Sequence, residues 1–419
     1  MLRWLQSLTL SALCVAQLAS AAPFHFLEER TGAGFPAPSV DPFYKAPSNL
    51  SSYGNGKVIR FRQVTTRIDA NNTYATYQSF YRTNTATGSP DATVATVFLP
   101  KNPSTSTKIF AFSTWEDSTQ VDCAPSWAFV KNSDSSNTGI LQYDASSAIP
   151  WALSNGWYVV SSDYLGSQSA FIAGFQEGRA LLDGIRATKN GLGLANNAAI
   201  VMAGYSGAGH ATAWAAELAP SYAPDLNIAG AAIGGAVYDS RNVLKAISGG
   251  QYSTYITLSL VGLVGLGQAY SDFGSYIRGA ATDLGRNFMQ QAGSVCLYTL
   301  PSSWSYKNIT QLLTNGEAAL YTSTANSTLT KESLLTSSSR SVATLPRLIY
   351  HGTADQIAVF ADSQTYVNQQ CAKGANIRYI KYAGADHFQT SDQASNMVGQ
   401  WITQALTTGA PQVQCGASS

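Results

Sequence analysis

The chain has 419 residues, 45% of them hydrophobic and only 12% charged, with 25 basic and 24 acidic side chains and a formal net charge of +1. That charged fraction is about half the average for soluble domains, and no block of like charge occurs. Nucleic acid is thereby excluded as a partner, because it requires a basic patch that displaces counterions. Uncharged Ser, Thr, Asn, Gln and Tyr must cover the surface, which suits an extracellular protein. At the N-terminus, Arg3 precedes an apolar run from Leu5 to Ala19 and then Ala19-Ser20-Ala21, a small-x-small cleavage pattern. Residues 1–21 therefore read as a removed signal peptide and residues 22–40 as a leader extension. The run is too short to cross ~30 Å of hydrocarbon, and no other segment reaches spanning length.

The next elements read as strands. Val58–Val64 alternates, and Thr73–Arg82 and Ala92–Leu99 are β-branched and aromatic runs parted by the turn signal Gly88-Ser89-Pro90. Then the rhythm changes. Strands are expected at Lys108–Phe112, Trp157–Asp163, Ala198–Gly204, Leu226–Ile233, Leu345–Tyr350 and Ile377–Tyr382. Helices are expected at Ser147–Asn155, Phe171–Asn190, Gly207–Ala219, Ala361–Lys373 and Ser391–Leu406. Alternation of this kind predicts right-handed βαβ units and a mostly parallel sheet with helices on both faces. Residues 240–340 interrupt the alternation with a Gly-rich apolar stretch, 256–267, and Ser/Thr-rich segments. The expected organisation is a core of 41–239 and 341–419 around a lid or cap insertion at 240–340.

Gly204-Tyr205-Ser206-Gly207-Ala208-Gly209 follows a strand and opens a helix. It fits G-x-S-x-G except that Ala208 stands at the last motif position. Small residues are needed there because the serine sits in a sharp, strained strand-to-helix turn. An ordinary turn serine is the bland alternative. A serine hydroxyl attacks only when a positioned base takes its proton, and in this arrangement the acid and then the histidine follow the serine in the chain. There are four histidines. His25 lies in the leader, His210 follows Ser206 by four residues on the next helix, and His351 ends the strand before the acid. His387 remains, in a loop between a strand and the last helix. Asp355, after a strand and a Gly turn, is the expected acid, ahead of Asp362, Asp386 and Asp392. The backbone N–H of Gly207 is one expected oxyanion donor. The second should come from the loop 113–118, where pattern alone selects no residue.

Four cysteines, Cys123, Cys296, Cys371 and Cys415, remain after the signal peptide and allow three disulfide pairings. No Cys-x-x-Cys pair suggests a metal. Sequons at Asn49, Asn71, Asn308 and Asn326 are candidate glycan sites.

Several motifs in order give a resemblance. Gly204–Gly207, Trp115-Glu116-Asp117-Ser118 with Asp122–Ser126, Tyr222–Ile228, Asp355-Gln356-Ile357, Cys371–Gly374, Asp386-His387 and Asp41–Tyr44 resemble the fungal secretory lipases across nearly the whole mature chain. The resemblance implies an α/β-hydrolase with a largely helical lid and a Ser206–Asp355–His387 triad. It also implies Asp117 with Gly207 as oxyanion hole, and Cys123–Cys296 and Cys371–Cys415 pairing. The implied activity is hydrolysis of carboxylic esters, commonly triacylglycerols, without a cofactor or metal. Stretch 256–267 would line an acyl pocket, meet an oil interface, or simply be a buried cap helix. Only 32 residues follow His387, so the family's C-terminal flap is expected to be missing. The chain is expected to act as a secreted monomer in transient contact with a lipid interface. A short-chain deacetylase and an inactive binding protein on the same scaffold are the alternatives.

Overall fold

The computed structural model describes residues 35–68, 71–139, 144–248, 255–336, 344–411 and Cys415. The expected signal peptide and His25 lie outside them. Nine strands form one sheet: β1 (Val58–Val64), β2 (Thr73–Asn84), β3 (Pro90–Pro100), β4 (Lys108–Phe112), β5 (Tyr158–Ser162), β6 (Ala199–Tyr205), β7 (Ile228–Gly234), β8 (Arg347–Gly352) and β9 (Ile377–Tyr382). Their order is β1-β2-β3-β5-β4-β6-β7-β8-β9. β1, β2, β3 and β5 pair antiparallel; from β5 onward every pair is parallel. The turn that closes the β2–β3 hairpin contains Gly88 at φ 92°, a left-handed conformation that costs glycine little.

The parallel strands are apolar on both sides because both faces are covered. In β6, Ile200 and Met202 join the core under one helical layer, while Val201 and Ala203 join the core under the other. The first layer holds α3 (Gly174–Gly191), α4 (Gly207–Tyr222) and α11 (Phe360–Ala372). The second holds α2 (Ser146–Ser154) and α12 (His387–Thr407), with Ile149, Trp401 and Ile402 buried against Phe110 and Leu348. A short α1 (Pro125–Phe129) follows the β4 loop. This is the α/β-hydrolase architecture. The chain leaves β4 for β5 on one side and returns to β6 on the other. That reversal opens a crevice above the carboxyl ends of β4 and β6.

Between β7 and β8 the described residues form α5 (Ser240–Ile247), α6 (Ile256–Ala269), α7 (Ser271–Ala280), α8 (Asp283–Ala292), α9 (Ile309–Leu312) and α10 (Ser323–Lys331). They have a core of their own. Leu260, Leu263, Phe273 and Phe288 bury together and against Phe171, Ile172, Ala208 and Ala211 beneath them. A disulfide joins Cys123, in the loop after β4, to Cys296, just beyond α8. A second joins Cys371 at the end of α11 to Cys415. Residues 35–40, read as the end of the leader, are held in place: the Arg62 guanidinium lies over the Phe35 ring at 4.2 Å, and Ser39 donates two hydrogen bonds to Asp122. Asn49, Asn71 and Asn326 are exposed, and half-buried Asn308 caps α9.

Most boundaries shift by up to three residues, and one at the site shifts by a full turn. The last helix begins at His387, four residues before Ser391, so His387 is helical and not in a loop. The cause is a capping box that periodicity does not register. Asp386 accepts from the Gln389 N–H, and the Gln389 side chain accepts from the Asp386 N–H. Asp386, a rival acid in the sequence, is thus a helix cap.

Candidate active site

Ser206 sits at the junction of β6 and α4 with φ 58° and ψ −125°, a region L-residues occupy only under constraint. Its N–H donates to the Gly234 carbonyl and its carbonyl accepts from the His210 N–H, which hold the turn closed. A Cβ on Gly204 would lie 2.3 Å from the Ala208 carbonyl oxygen, and one on Gly209 would lie 2.5 Å from that of Gly234. The steric demand after the serine therefore falls on Gly209. Ala208 is buried without such a clash, which explains why the motif tolerates alanine there.

The turn aims Ser206 at His387. His387 Nε2 lies 2.9 Å from Ser206 Oγ, and His387 Nδ1 lies 2.7 Å from Asp355 Oδ2. Since the carboxylate can only accept, the proton must sit on Nδ1, which leaves Nε2 free to take the serine proton. Folding joins three residues separated by 181 and 32 positions. Asp355 is anchored through Oδ1, which accepts from the Ile357 and Ala358 N–H groups at 2.9 and 2.8 Å. Burial opposes its charge, but the His387 charge and hydrogen bonds from His351 and His387 outweigh this and hold its carboxyl well below the usual range.

Asp117 comes from the loop after β4. It is buried at φ 45°, with Oδ1 2.1 Å from where a Cβ on Gly207 would stand. Burial first, then the charges of Glu177 and Asp144, push its carboxyl up to about 7. The two residues meet beside Ser206 at the mouth of a cavity of about 40 Å³. Phe171, Ile172, Val243, Leu258, Gly262 and Leu263 give it apolar walls. In α6, Leu258 and Gly262 line the cavity while Leu260, Val261 and Leu266 bury in the helical core between β7 and β8.

The remaining histidines have other partners. His210 is buried below the turn, with Nδ1 2.6 Å from Glu177 Oε2 and Nε2 accepting from Trp214 Nε1–H. Glu177 also accepts from the N–H of Ile172, a cavity-wall residue at φ 66°. His351 faces Asp355 from behind. Asp362 lies in the first turn of α11, bonded to Asn242. Three groups around the site are not evident in the sequence. The Tyr205 hydroxyl donates to the His387 carbonyl, Gln356 Oε1 accepts from the His387 N–H, and Gly235 packs against both Tyr205 and His387. The signals were only their neighbours: Tyr205 precedes the serine and Gln356 follows the acid. Among the described residues, no group of three or more His, Cys, Asp or Glu could hold a metal, and no helix is long and apolar enough to cross a membrane.

Comparison with known proteins bears on the family and the fold. A family profile described as "Secretory lipase" matches residues 131–414. Lipase A of Moesziomyces aphidis is 37% identical over 98% of this chain and 89% of its own. A secreted triacylglycerol lipase of Malassezia furfur is 31% identical over 93% of this chain and 83% of its own. The X-ray structure of Candida antarctica lipase A in its closed state superposes with a TM-score of 0.87 at 37% identity, covering 92% of this chain and 90% of that one.

Proposed function

From a chain that belongs to the secretory lipase family and is a serine ester hydrolase, we propose a secreted enzyme that cleaves triacylglycerols by two-step acyl transfer on Ser206. The observation that carries this is the Ser206–His387–Asp355 line, at 2.9 and 2.7 Å, opening into an apolar cavity. Ser206 Oγ attacks the ester carbonyl as His387 Nε2 takes its proton, and Asp355 stabilises the resulting imidazolium. The N–H groups of Gly207 and Asp117 receive the oxyanion. His387 then returns the proton to the leaving alkoxide. Water, activated by the same histidine, attacks the acyl-enzyme; the acid departs and Ser206 is regenerated. Residues 240–340 act as the cap over this cavity. Secretion follows removal of residues 1–21, with glycans at Asn49, Asn71, Asn308 and Asn326. The Malassezia furfur relative, described as a triacylglycerol lipase, supports the substrate class.

The test is Ser206→Ala. Activity on p-nitrophenyl esters should fall at least about a thousandfold, and a smaller loss removes Ser206 from the mechanism.

One observation favours a second reading, a short-chain esterase. A cavity of about 40 Å³ beside Ser206 fits a short acyl group more closely than a long one. Rates on p-nitrophenyl esters from acetate to oleate separate the two readings. A monotonic decline beyond butyrate selects the esterase.

A further inference from the structure

His351 is wholly buried at the end of β8, four residues before Asp355, and nothing in the reaction as described so far uses it. Its Nε2 lies 3.2 Å from Asp355 Oδ2 and 3.1 Å from the Ala358 carbonyl oxygen. Both neighbours can only accept, so Nε2 must carry a proton and share it between them. Nδ1 is buried with no partner among the described residues. A proton there would be a stranded donor, so the geometry favours the Nε2–H arrangement. Phe360 of α11 packs edge-on against the ring and fixes its plane.

The consequence falls on Asp355. Its Oδ1 is held by two backbone N–H groups, and its Oδ2 is shared by two imidazoles, His387 at 2.7 Å and His351 at 3.2 Å. We propose that His351 is a positioning residue for the acid of the triad: its shared Nε2–H locks the Asp355 carboxylate to the 355–358 turn and draws charge from Oδ2, which limits how readily His387 is protonated. The proposal rests on the Ser206–His387–Asp355 reading above. Other titratable groups bear on this pair from the elements packed around it. They are Asp362 from α11, Tyr205 from β6, Asp386 at the cap of α12, and exposed Lys381, the β9 register partner of His351. None of them makes a hydrogen bond to Oδ2 among the described residues.

Two substitutions separate donation from packing. His351→Phe keeps a planar ring and deletes the donor. His351→Gln keeps a donor near the Nε2 position. With the donor gone, Oδ2 holds more charge and favours imidazolium at His387. The acid limb of kcat/KM should then move to higher pH by roughly 0.5 to 1 unit, less than the ~1–2 units of one hydrogen bond made directly to a charged group, because the donor reaches His387 only through Asp355. kcat should drop about tenfold or more as the carboxylate loses its anchor, with KM little changed. His351→Gln should restore the wild-type limb and most of kcat. Melting midpoints and fluorophosphonate labelling of Ser206 in each variant confirm a folded site. If both variants label and share the wild-type limb, or lose kcat equally without a shift, His351 only packs and the proposal is overturned. If wild type itself fails to label at Ser206, the triad reading falls, and this proposal with it.

Discussion

Gly207→Ala tests the proposed second oxyanion donor, the Asp117 N–H, without touching Ser206, His387 or Asp355. A Cβ at position 207 would lie 2.1 Å from Asp117 Oδ1 and 3.1 Å from Phe171 Cε2. The first contact is about 1 Å inside the closest comfortable approach of such atoms, so something must move by that amount. Gly207 is fixed as the first residue of α4, and its N–H is needed where it is. Asp117 must therefore yield, yet its side chain is 2% exposed and its backbone is already at φ 45°. Shifting the loop moves the Asp117 N–H away from the developing charge. A misplacement of about 1 Å at a reacting centre costs on the order of a hundredfold, and loss of one oxyanion donor costs about 10²–10³ in kcat, or ~2.7–4 kcal/mol. The measurement is steady-state kinetics on p-nitrophenyl butyrate beside wild type, with melting midpoints to verify folding. The expected result is a kcat about a hundredfold lower at nearly constant KM, because ground-state ester contacts the oxyanion donors weakly. A folded variant whose kcat stays within threefold of wild type would refute Asp117 as a donor held by the Gly207 contact.

Stability should depend on pH in a direction the buried acids set. Asp117, Asp144 and Asp163 are each pushed by burial from 3.8 to about 7. Between those values the folded chain binds more protons than the unfolded chain, so stability falls as pH rises from about 4 to 7. Asp355 is shifted the opposite way and adds stability that is lost only as pH falls below its unfolded value. Melting midpoints should thus decline from pH 4.5 to 7.5, and Asp144→Asn should flatten the decline; a rising profile would contradict the assignment. Arg347 and Glu217 are buried together, with Tyr366 also donating to Glu217. Arg347→Met should cost about 3–5 kcal/mol in urea unfolding by stranding the carboxylate, and adding Glu217→Leu should recover much of it; equal losses in the single and double variants would argue against the pairing. The Cys123–Cys296 bridge closes 173 positions. Its removal by serine pairs should lower the guanidinium midpoint, with a loss on the order of 5 kcal/mol in the chain-entropy account. Non-reducing peptide maps should recover the two cystine peptides of the bridges described, and a Cys123–Cys371 peptide would overturn them.

The strand positions were legible because parallel strands buried on two faces must be apolar throughout. Ile200–Ala203 and Leu348–Tyr350 announce themselves for that reason. Chain order and the scarcity of histidine narrowed the candidate base to His387. The start of α12 was not legible. A capping box is a pair of side-chain hydrogen bonds, and the apolar period on which the helix was placed begins only one turn later.

Sequence by itself determined the elements, their alternation, and which serine, acid and histidine could act together, since these follow from local pattern and order along the chain. Only the tertiary structure decided distance. It brought Asp117 under Gly207, turned His351 onto the far side of Asp355, and laid α6 along the cavity that Ser206 also lines. The first and third of these join segments whose separation along the chain carries no information about their approach in space, and the second depends on how the turn after β8 folds back. They depend on how the strands twist, on how the helices between β7 and β8 pack, and on which small residues let two backbones meet. The physics of a buried site lies in those approaches, where one hydrogen bond or about 1 Å decides whether a proton moves.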